Sequence, residues 1–252
     1  MTLNTQPDGA KVEPFLKGES GGIVSMPNPE QIKLPHSGFK TNDGLSEALR
    51  AGTYNIRILN RIDSIVAGLL AFDPEYTPAY ITSQVPVQLA NRNIYAEHIV
   101  QGRLHRFTCN GGASLTFKRD QVVRNIVLIT NCEIKFESGV GIEDSIIVTT
   151  NADKDAISAS SGLRVGRNDN CADGGGAQLI SYGGMSFPSA LQVYGSQLLA
   201  KKSINFAAQA NGIQGASFVA GERIDGTSNM AMGFFGSGMD ANLQAAYFRL
   251  TY

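Results

Sequence analysis

A faint repeat of about 20 residues constrains this chain more than any other feature. Residues 125–131 (NIVLITN) and 145–151 (SIIVTTN) carry Ile, Thr and Asn at the same offsets, with apolar or β-branched residues between them. Residues 195–200 (GSQLLA) and 215–220 (GASFVA) repeat at the same offset. A fixed period in this range is typical of a solenoid, in which each coil buries its apolar face against its neighbours.

The repeat predicts a mainly β fold, a right-handed β-helix or β-solenoid with about 20 residues per coil, preceded by a short helical segment. Residues 103–240 would provide roughly seven coils. The 28 glycines and the charged fraction of only 17% suit tight turns between short strands. In-register stacking at this period would place Asn131 over Asn151 as an amide ladder.

Three regions are predicted along the chain. Residues 1–41 hold five of the nine prolines and are expected to form an extended or disordered leader. Residues 42–79 are expected to be helical and to pack on the solenoid or cap it. Residues 80–252 are expected to form the β-solenoid domain.

Two helices are predicted within residues 42–79. A short one over residues 45–50 would be capped by Asn42 or Asp43 and would stop at Gly52. The second is amphipathic and is expected to lie on the end or flank of the solenoid, where it would cover an exposed strand edge. Binding of a partner protein is the alternative role for this helix. Its apolar residues recur at three- and four-residue spacing: Ile58, Leu59, Ile62, Ile65, Val66, Leu69 and Leu70.

The three cysteines allow one disulfide. Cys109 and Cys132 have a sequence separation of 23, close to one coil, and residues one coil apart lie about 4.8 Å from each other. That spacing is within the range for a disulfide. Two separate buried thiols are the alternative. A disulfide would indicate an oxidising compartment, and Cys171 would be left over.

Residues 167–177 (RNDNCADGGGA) are expected to bulge from the stack as a loop. Their side-chain oxygens could bind calcium, but the spacing does not fit the calcium loop of an EF-hand, which also needs a following Glu. A polar turn is the preferred interpretation. It leaves a candidate interaction loop with four polar residues: Asn168, Asp169, Asn170 and Asp173.

The sequence offers no convincing catalytic or metal-binding motif. Residues 18–22 match G-x-S-x-G, but they lie in the leader and not on a strand-to-helix turn. The only adjacent acidic pair of the solenoid region is Glu143 and Asp144, and neighbours on a strand point to opposite faces. We therefore predict a protein that is not an enzyme and has no cofactor. The histidines form no zinc motif and are expected to be structural, at the surface or partly buried: His36, His98 and His105.

Charge and hydropathy limit the partners. The formal net charge of −1 gives no electrostatic reason to expect nucleic-acid binding. The longest apolar run, residues 65–72, is too short to span a bilayer, and the N-terminus lacks the features of a signal peptide. Taken alone, these features predict a cytoplasmic chain.

Five segments carry a resemblance to a known family: 72–78 (FDPEYTP), 161–166 (SGLRVG), 174–179 (GGGAQL), 211–220 (NGIQGASFVA) and 224–239 (IDGTSNMAMGFFGSGM). Over roughly residues 70–240 the chain resembles the C-terminal, extracytoplasmic part of TadE/TadG-like proteins of Flp (tight adherence) pilus assembly. The resemblance implies a location in the periplasm or cell envelope. It also implies partners among other envelope or pilus-assembly proteins, and it supplies no catalytic residues. Members of that family carry an N-terminal membrane anchor, and we expect contact with a membrane only through such an anchor. This sequence shows none, so either the anchor was removed or misannotated, or the chain is a free-standing derivative.

Three functions remain open at this level. The first is a non-enzymatic envelope protein that supports Flp pilus assembly or surface adherence through its solenoid surface. The second is a carbohydrate-binding or carbohydrate-active β-helix, which would need carboxylates that converge on one face. The third is a scaffold that self-associates by stacking solenoids end to end.

Overall fold

A computed structural model describes residues 51, 54–169, 174–226 and 232–233. The expected leader, the short helix over residues 45–50 and the G-x-S-x-G segment lie outside the described residues. The described chain begins with one long helix, α1 (Tyr54–Ala71), and continues into strands. A 3-10 turn, Ala96–His98, lies among these strands.

Parallel strands form three stacks, and this arrangement is a β-solenoid. The first stack contains, in spatial order, β1 (Val87–Gln88), β3 (Arg103–Phe107), β6 (Ile126–Thr130), β9 (Ile146–Thr149), β12 (Gln178–Ser181), β14 (Gln197–Ala200) and β16 (Ser217–Ala220). The second contains β2 (Asn93–Ile94), β4 (Ser114–Phe117), β7 (Glu133–Phe136), β10 (Ile157–Ala159), β13 (Met185–Tyr194), β15 (Ile204–Gln214) and β17 (Ile224–Gly226). The third contains β5 (Val122–Arg124), β8 (Gly141–Glu143) and β11 (Arg164–Val165), continues through the later parts of β13 and β15, and ends at β18 (Met232–Gly233).

Seven strands in the first stack give about seven coils, which confirms the predicted solenoid. Gln197 pairs with Ser217 and Ile204 pairs with Ile224, so the offset of the sequence repeat is the true register in the last coils. Earlier coils differ in length. Arg103 pairs with Ile126, and this coil is longer than the last ones.

The interior of the solenoid is filled by apolar side chains from all three stacks. Like residues stack on each other from coil to coil: the rings of Phe117 and Phe136 lie 5.0 Å apart at an interplanar angle of 29°. Some polar side chains are buried as well, and His105 is one of them: it is fully buried and lies in register with Leu128 of the next coil. The expectation of a surface or partly buried histidine is therefore wrong for His105.

Helix α1 lies on the outer face of the first stack. One side of the helix is fully buried, including Ile58, Ile62 and Ile65. The helix thus covers a sheet face, not the strand edge predicted from the sequence. Its C-terminus is set by Phe72, whose left-handed backbone (φ 55°) allows the N–H of Asp73 to bond the carbonyl of Gly68. The helix packs on outward-facing strand residues: Leu104, Val127, Ile129, Ile146, Val148, Ile180, Leu199 and Val219.

A polar contact also holds α1 against the stack. Lys201 Nζ lies 2.7 Å from Asp63 Oδ1 and 3.8 Å from the centre of the Tyr182 ring. The hydrogen bonds from Lys201 and Tyr182 lower the pKa of Asp63. Because the Asp63 side chain is largely exposed, the pair orients the helix more than it stabilises it.

The predicted ladder of Asn131 and Asn151 is wrong. Thr130 pairs with Thr149, so this coil is one residue shorter than the sequence repeat and Asn131 lies opposite Thr150. The Asn131 side chain instead bonds the main chain of Cys109 in the preceding coil, accepting from its N–H (2.8 Å) and donating to its carbonyl (3.1 Å).

Cys109 and Cys132 form a disulfide, with their Cα atoms 5.3 Å apart and a sequence separation of 23. The coil between β3 and β6 has the same length as this separation. The two cysteines therefore lie in register, just beyond the paired residues Phe107 and Thr130. The bond ties two consecutive coils together.

Candidate binding groove at an inserted loop

One corner of the solenoid, between the third and first stacks, is built from left-handed residues. Asn125, Asp144, Gly195 and Gly215 occupy it in four coils, with φ between 41° and 58°. Asn and Asp are the side-chain-bearing residues that adopt this conformation at least cost. A sharp corner of this kind needs only two residues between β8 and β9, between β13 and β14, and between β15 and β16.

In one coil the same corner is expanded into a loop. Twelve residues, 166–177, separate β11 from β12. As a result Ile146 pairs with Gln178, and this coil is much longer than the coils on either side of it. Insertions into single repeats of a solenoid form loops on one face, often the binding face.

A buried carboxylate anchors the base of this loop. Glu143 is 2% exposed and lies between two arginines of neighbouring coils. Its Oε2 is 2.8 Å from Nε of Arg124, and its Oε1 is 3.4 Å from a terminal nitrogen of Arg164. The arginines are partly exposed, so their charges offset the burial of Glu143 while their outer edges reach solvent.

The next residue, Asp144, holds the loop itself. Its Oδ1 accepts a hydrogen bond of 2.6 Å from the main-chain N–H of Gly175. Arg167 reaches Asp169 at 2.6 Å, and this bond is the main reason that the pKa of Arg167 is raised. The nearby carboxylates of Asp144 and Glu143 raise it further.

A groove of about 360 Å³ opens beside the loop. One wall is the segment that follows α1, with Tyr76, Pro78 and Tyr80. The other side is formed by the first stack and by the base of the loop. The complete lining is Glu75, Tyr76, Thr77, Pro78, Tyr80, Ser145, Ile146, Gly176, Ala177 and Gln178.

The wall segment is fixed against α1. The Tyr76 ring fits over Gly68, where an added Cβ would lie 2.3 Å from Cδ2 of the ring. Arg61 of the helix reaches Glu75 Oε1 at 3.2 Å and the Tyr76 hydroxyl at 3.4 Å. The wall of the groove is therefore packed directly on the helix.

Two features give the groove its polarity. The pKa of Tyr80 is raised, chiefly by burial and further by the carboxylate of Asp144, so its phenol stays neutral and can donate a hydrogen bond. At the floor, Gln178 donates to Oε1 of the neighbouring Gln197 at 2.6 Å, and both amides are fully buried. No acceptor among the described residues meets Nε2 of Gln197.

Of the predicted interaction loop, the structure describes Asn168 and Asp169, and neither of them lines the groove. Asn168 is exposed, and Asp169 is bound by Arg167. Asn170 and Asp173 lie outside the described residues. Among the residues that are described, no group of three or more His, Cys, Asp or Glu could hold a metal ion. The described part of the chain also contains no helix that is both long and apolar enough to cross a membrane.

Residues 15–236 match a family model described as a domain of unknown function, DUF7867. The chain belongs to this family. No curated protein and no solved structure matches it.

Most residues that line the groove of this DUF7867 member were not indicated by the sequence alone. The lining residues Glu75, Tyr76 and Tyr80 belong to the segment after the helix and were not candidates. The signal that could have found the position is the corner spacing: a left-handed Asn, Asp or Gly lies one or two residues before β3, β6, β9, β14 and β16. Between β11 and β12 twelve residues take the place of this short corner, and they mark the insertion.

Proposed function

We propose that this chain is a non-enzymatic structural or assembly protein of the cell envelope, which supports Flp-type pilus assembly or surface adherence. The solenoid surface is the part that contacts other envelope components. The pilus context rests on the resemblance to TadE/TadG-like proteins.

The observation that carries the envelope assignment is the disulfide between Cys109 and Cys132. Disulfides persist in oxidising compartments such as the periplasm and are rare in the cytosol. Two consecutive coils tied by such a bond would resist local opening, because the bond limits the freedom of the opened chain. Such reinforcement suits a protein that works outside the reducing cytosol.

The contacts of the one adjacent acidic pair support a structural role. Glu143 is held between Arg124 and Arg164, and Asp144 accepts the N–H of Gly175. A glycosidase needs one carboxylate that carries a proton and a second that faces the same bond. Here both carboxylates serve as anchors of the corner and its loop.

Deletion of the gene in the native host tests the proposed role. We expect fewer surface pili and weaker adherence, and we expect the wild-type gene supplied in trans to restore both. A matched strain that carries the Cys109→Ser, Cys132→Ser variant should restore them less well. Normal piliation and adherence in the deletion strain would overturn the role. A sizing column separates it from a self-stacking scaffold, since a monomer at every concentration would eliminate the scaffold.

A further inference from the structure

We propose that the groove beside the inserted loop binds one ring of a neutral saccharide. This inference rests on the proposed function, because it supplies the ligand class for the same solenoid surface. The ligand would be a hexose or N-acetylhexosamine unit of an envelope glycan.

The size of the groove suits one ring. A volume of about 360 Å³ lies at the small end of ligand pockets, which run from roughly 300 to 1,000 Å³. The groove opens at the corner where the coil is expanded, so a longer chain could continue past the ring into solvent. A flat protein contact would not need a concave site of this kind.

The two sides of the groove differ in chemistry. Tyr76, Pro78 and Tyr80 contribute rings to one wall, and Ile146 contributes an apolar surface on the other side. The same lining includes residues with hydroxyl groups, among them Thr77 and Tyr80. A pyranose ring has one face of C–H groups and an edge of hydroxyls, and it matches this division between apolar and hydrogen-bonding surface.

The charges near the groove favour a neutral sugar over an acidic one. Glu75 lies at the rim, and Asp144 is close enough to raise the pKa of Tyr80. Two cations near the groove are already paired, Arg61 of α1 with Glu75 and Arg167 of the loop with Asp169. A carboxylated ligand would meet like charge, and the described lining residues include no cation to offset it. A neutral hydroxyl, in contrast, can accept from the protonated Tyr80.

Calorimetric titration of the purified protein tests the inference. The probes are cellotriose and tri-N-acetylchitotriose, with trigalacturonate as the acidic comparison. We expect at least one neutral probe to bind and trigalacturonate to bind more weakly. Tyr80→Ala should abolish the binding, and Tyr80→Phe should weaken it about fivefold, the effect of one lost hydrogen bond. Tyr95→Ala is the control, because Tyr95 is exposed and does not line the groove.

Three results would overturn the inference: no binding of either neutral probe, tighter binding of trigalacturonate, or unchanged binding by Tyr80→Ala. Tyr80→Phe keeps the aromatic ring and is expected to fold. It therefore still tests the inference if the Tyr80→Ala variant fails to fold. The inference and the proposed function can fail separately. Poor adherence of the deletion strain without saccharide binding overturns only the inference, and saccharide binding with normal piliation overturns only the proposed role.

Discussion

Glycine is replaceable at some left-handed positions of this solenoid and not at others. Asn125 and Asp144 carry side chains at the corner before the first stack. A Cβ on Gly166 would lie 1.9 Å from the carbonyl oxygen of Tyr194. A Cβ on Gly111, which is also left-handed, would meet nothing within 4 Å. The two glycines differ because neighbouring coils pack closely at Gly166 and not at Gly111. At Gly166 a steric clash would add to the free-energy cost of the left-handed backbone.

We therefore expect Gly166→Ala to lower the free energy of unfolding by at least about 3 kcal/mol, because the coils must separate. Gly111→Ala should cost only about 1 kcal/mol, the penalty of the left-handed backbone. Urea unfolding of both variants measures the two values. Equal losses would show that the coils do not approach each other at Gly166.

His105 should make the stability of the protein depend on pH. Burial lowers its pKa, and the N–H of Val100 donates to its Nε2 at 3.1 Å, so the buried ring is neutral. The unfolded chain takes up this proton near pH 6.5, whereas the folded chain does so only at lower pH. Stability should therefore fall as the pH drops below about 6.5, by up to about 1.4 kcal/mol per pH unit.

Urea unfolding between pH 5 and pH 8 measures this effect. The variant His105→Leu should lose the dependence that His105 contributes. His98→Leu is the matched control and should keep it. If the stability of both variants depends on pH as that of the wild type does, then His105 is not a neutral, buried side chain in the folded protein.

At the level of elements, the strands of the first stack show why the register could not be read from the sequence. Ile126 and Leu128 face the interior, while Val127 and Ile129 face α1. Because both faces are buried, the alternation of apolar and polar residues that normally fixes register is missing. The observed offset between β6 and β9 and an offset one residue longer fit the apolar pattern equally well. The recurrence of Asn at positions 131 and 151 favoured the longer offset, which is wrong.

The long amphipathic helix was predictable, and its place was not. The spacing of its apolar residues fixes the buried side, and the structure buries Ile58, Ile62 and Ile65 as that pattern requires. The sequence could not tell a strand edge from a sheet face as the docking surface. The groove was hidden for a related reason, since its walls come from segments near residues 76, 146 and 177 that meet only in the folded chain.

Docking of α1 on the first stack predicts a sharp contrast between two isoleucines of the same helix. Ile62→Ala removes a fully buried side chain and should cost about 2–5 kcal/mol. Ile56→Ala is the control, since Ile56 is 58% exposed and should cost less than about 1 kcal/mol. Thermal unfolding followed by circular dichroism compares them. Similar losses would mean that the helix does not rest on the sheet by this side.

At the scale of the whole molecule, the lengths of the coils and the position of the disulfide are consistent with each other. The chain folds into about seven parallel coils, and the long coil between β3 and β6 brings Cys109 and Cys132 into register. The same coil length explains why the cysteines can be farther apart in sequence than the period of the repeat. A solenoid with two coils joined by a disulfide is expected to act outside the reducing cytosol.

The most direct test of this account is a count of thiols in the chain as isolated from its native host. The cells are fractionated, the protein is denatured without reductant, and maleimide labels are counted by mass spectrometry. We predict an envelope fraction that carries one label, on Cys171, and three labels after reduction. A cytoplasmic chain that takes up three labels without reductant would contradict the account.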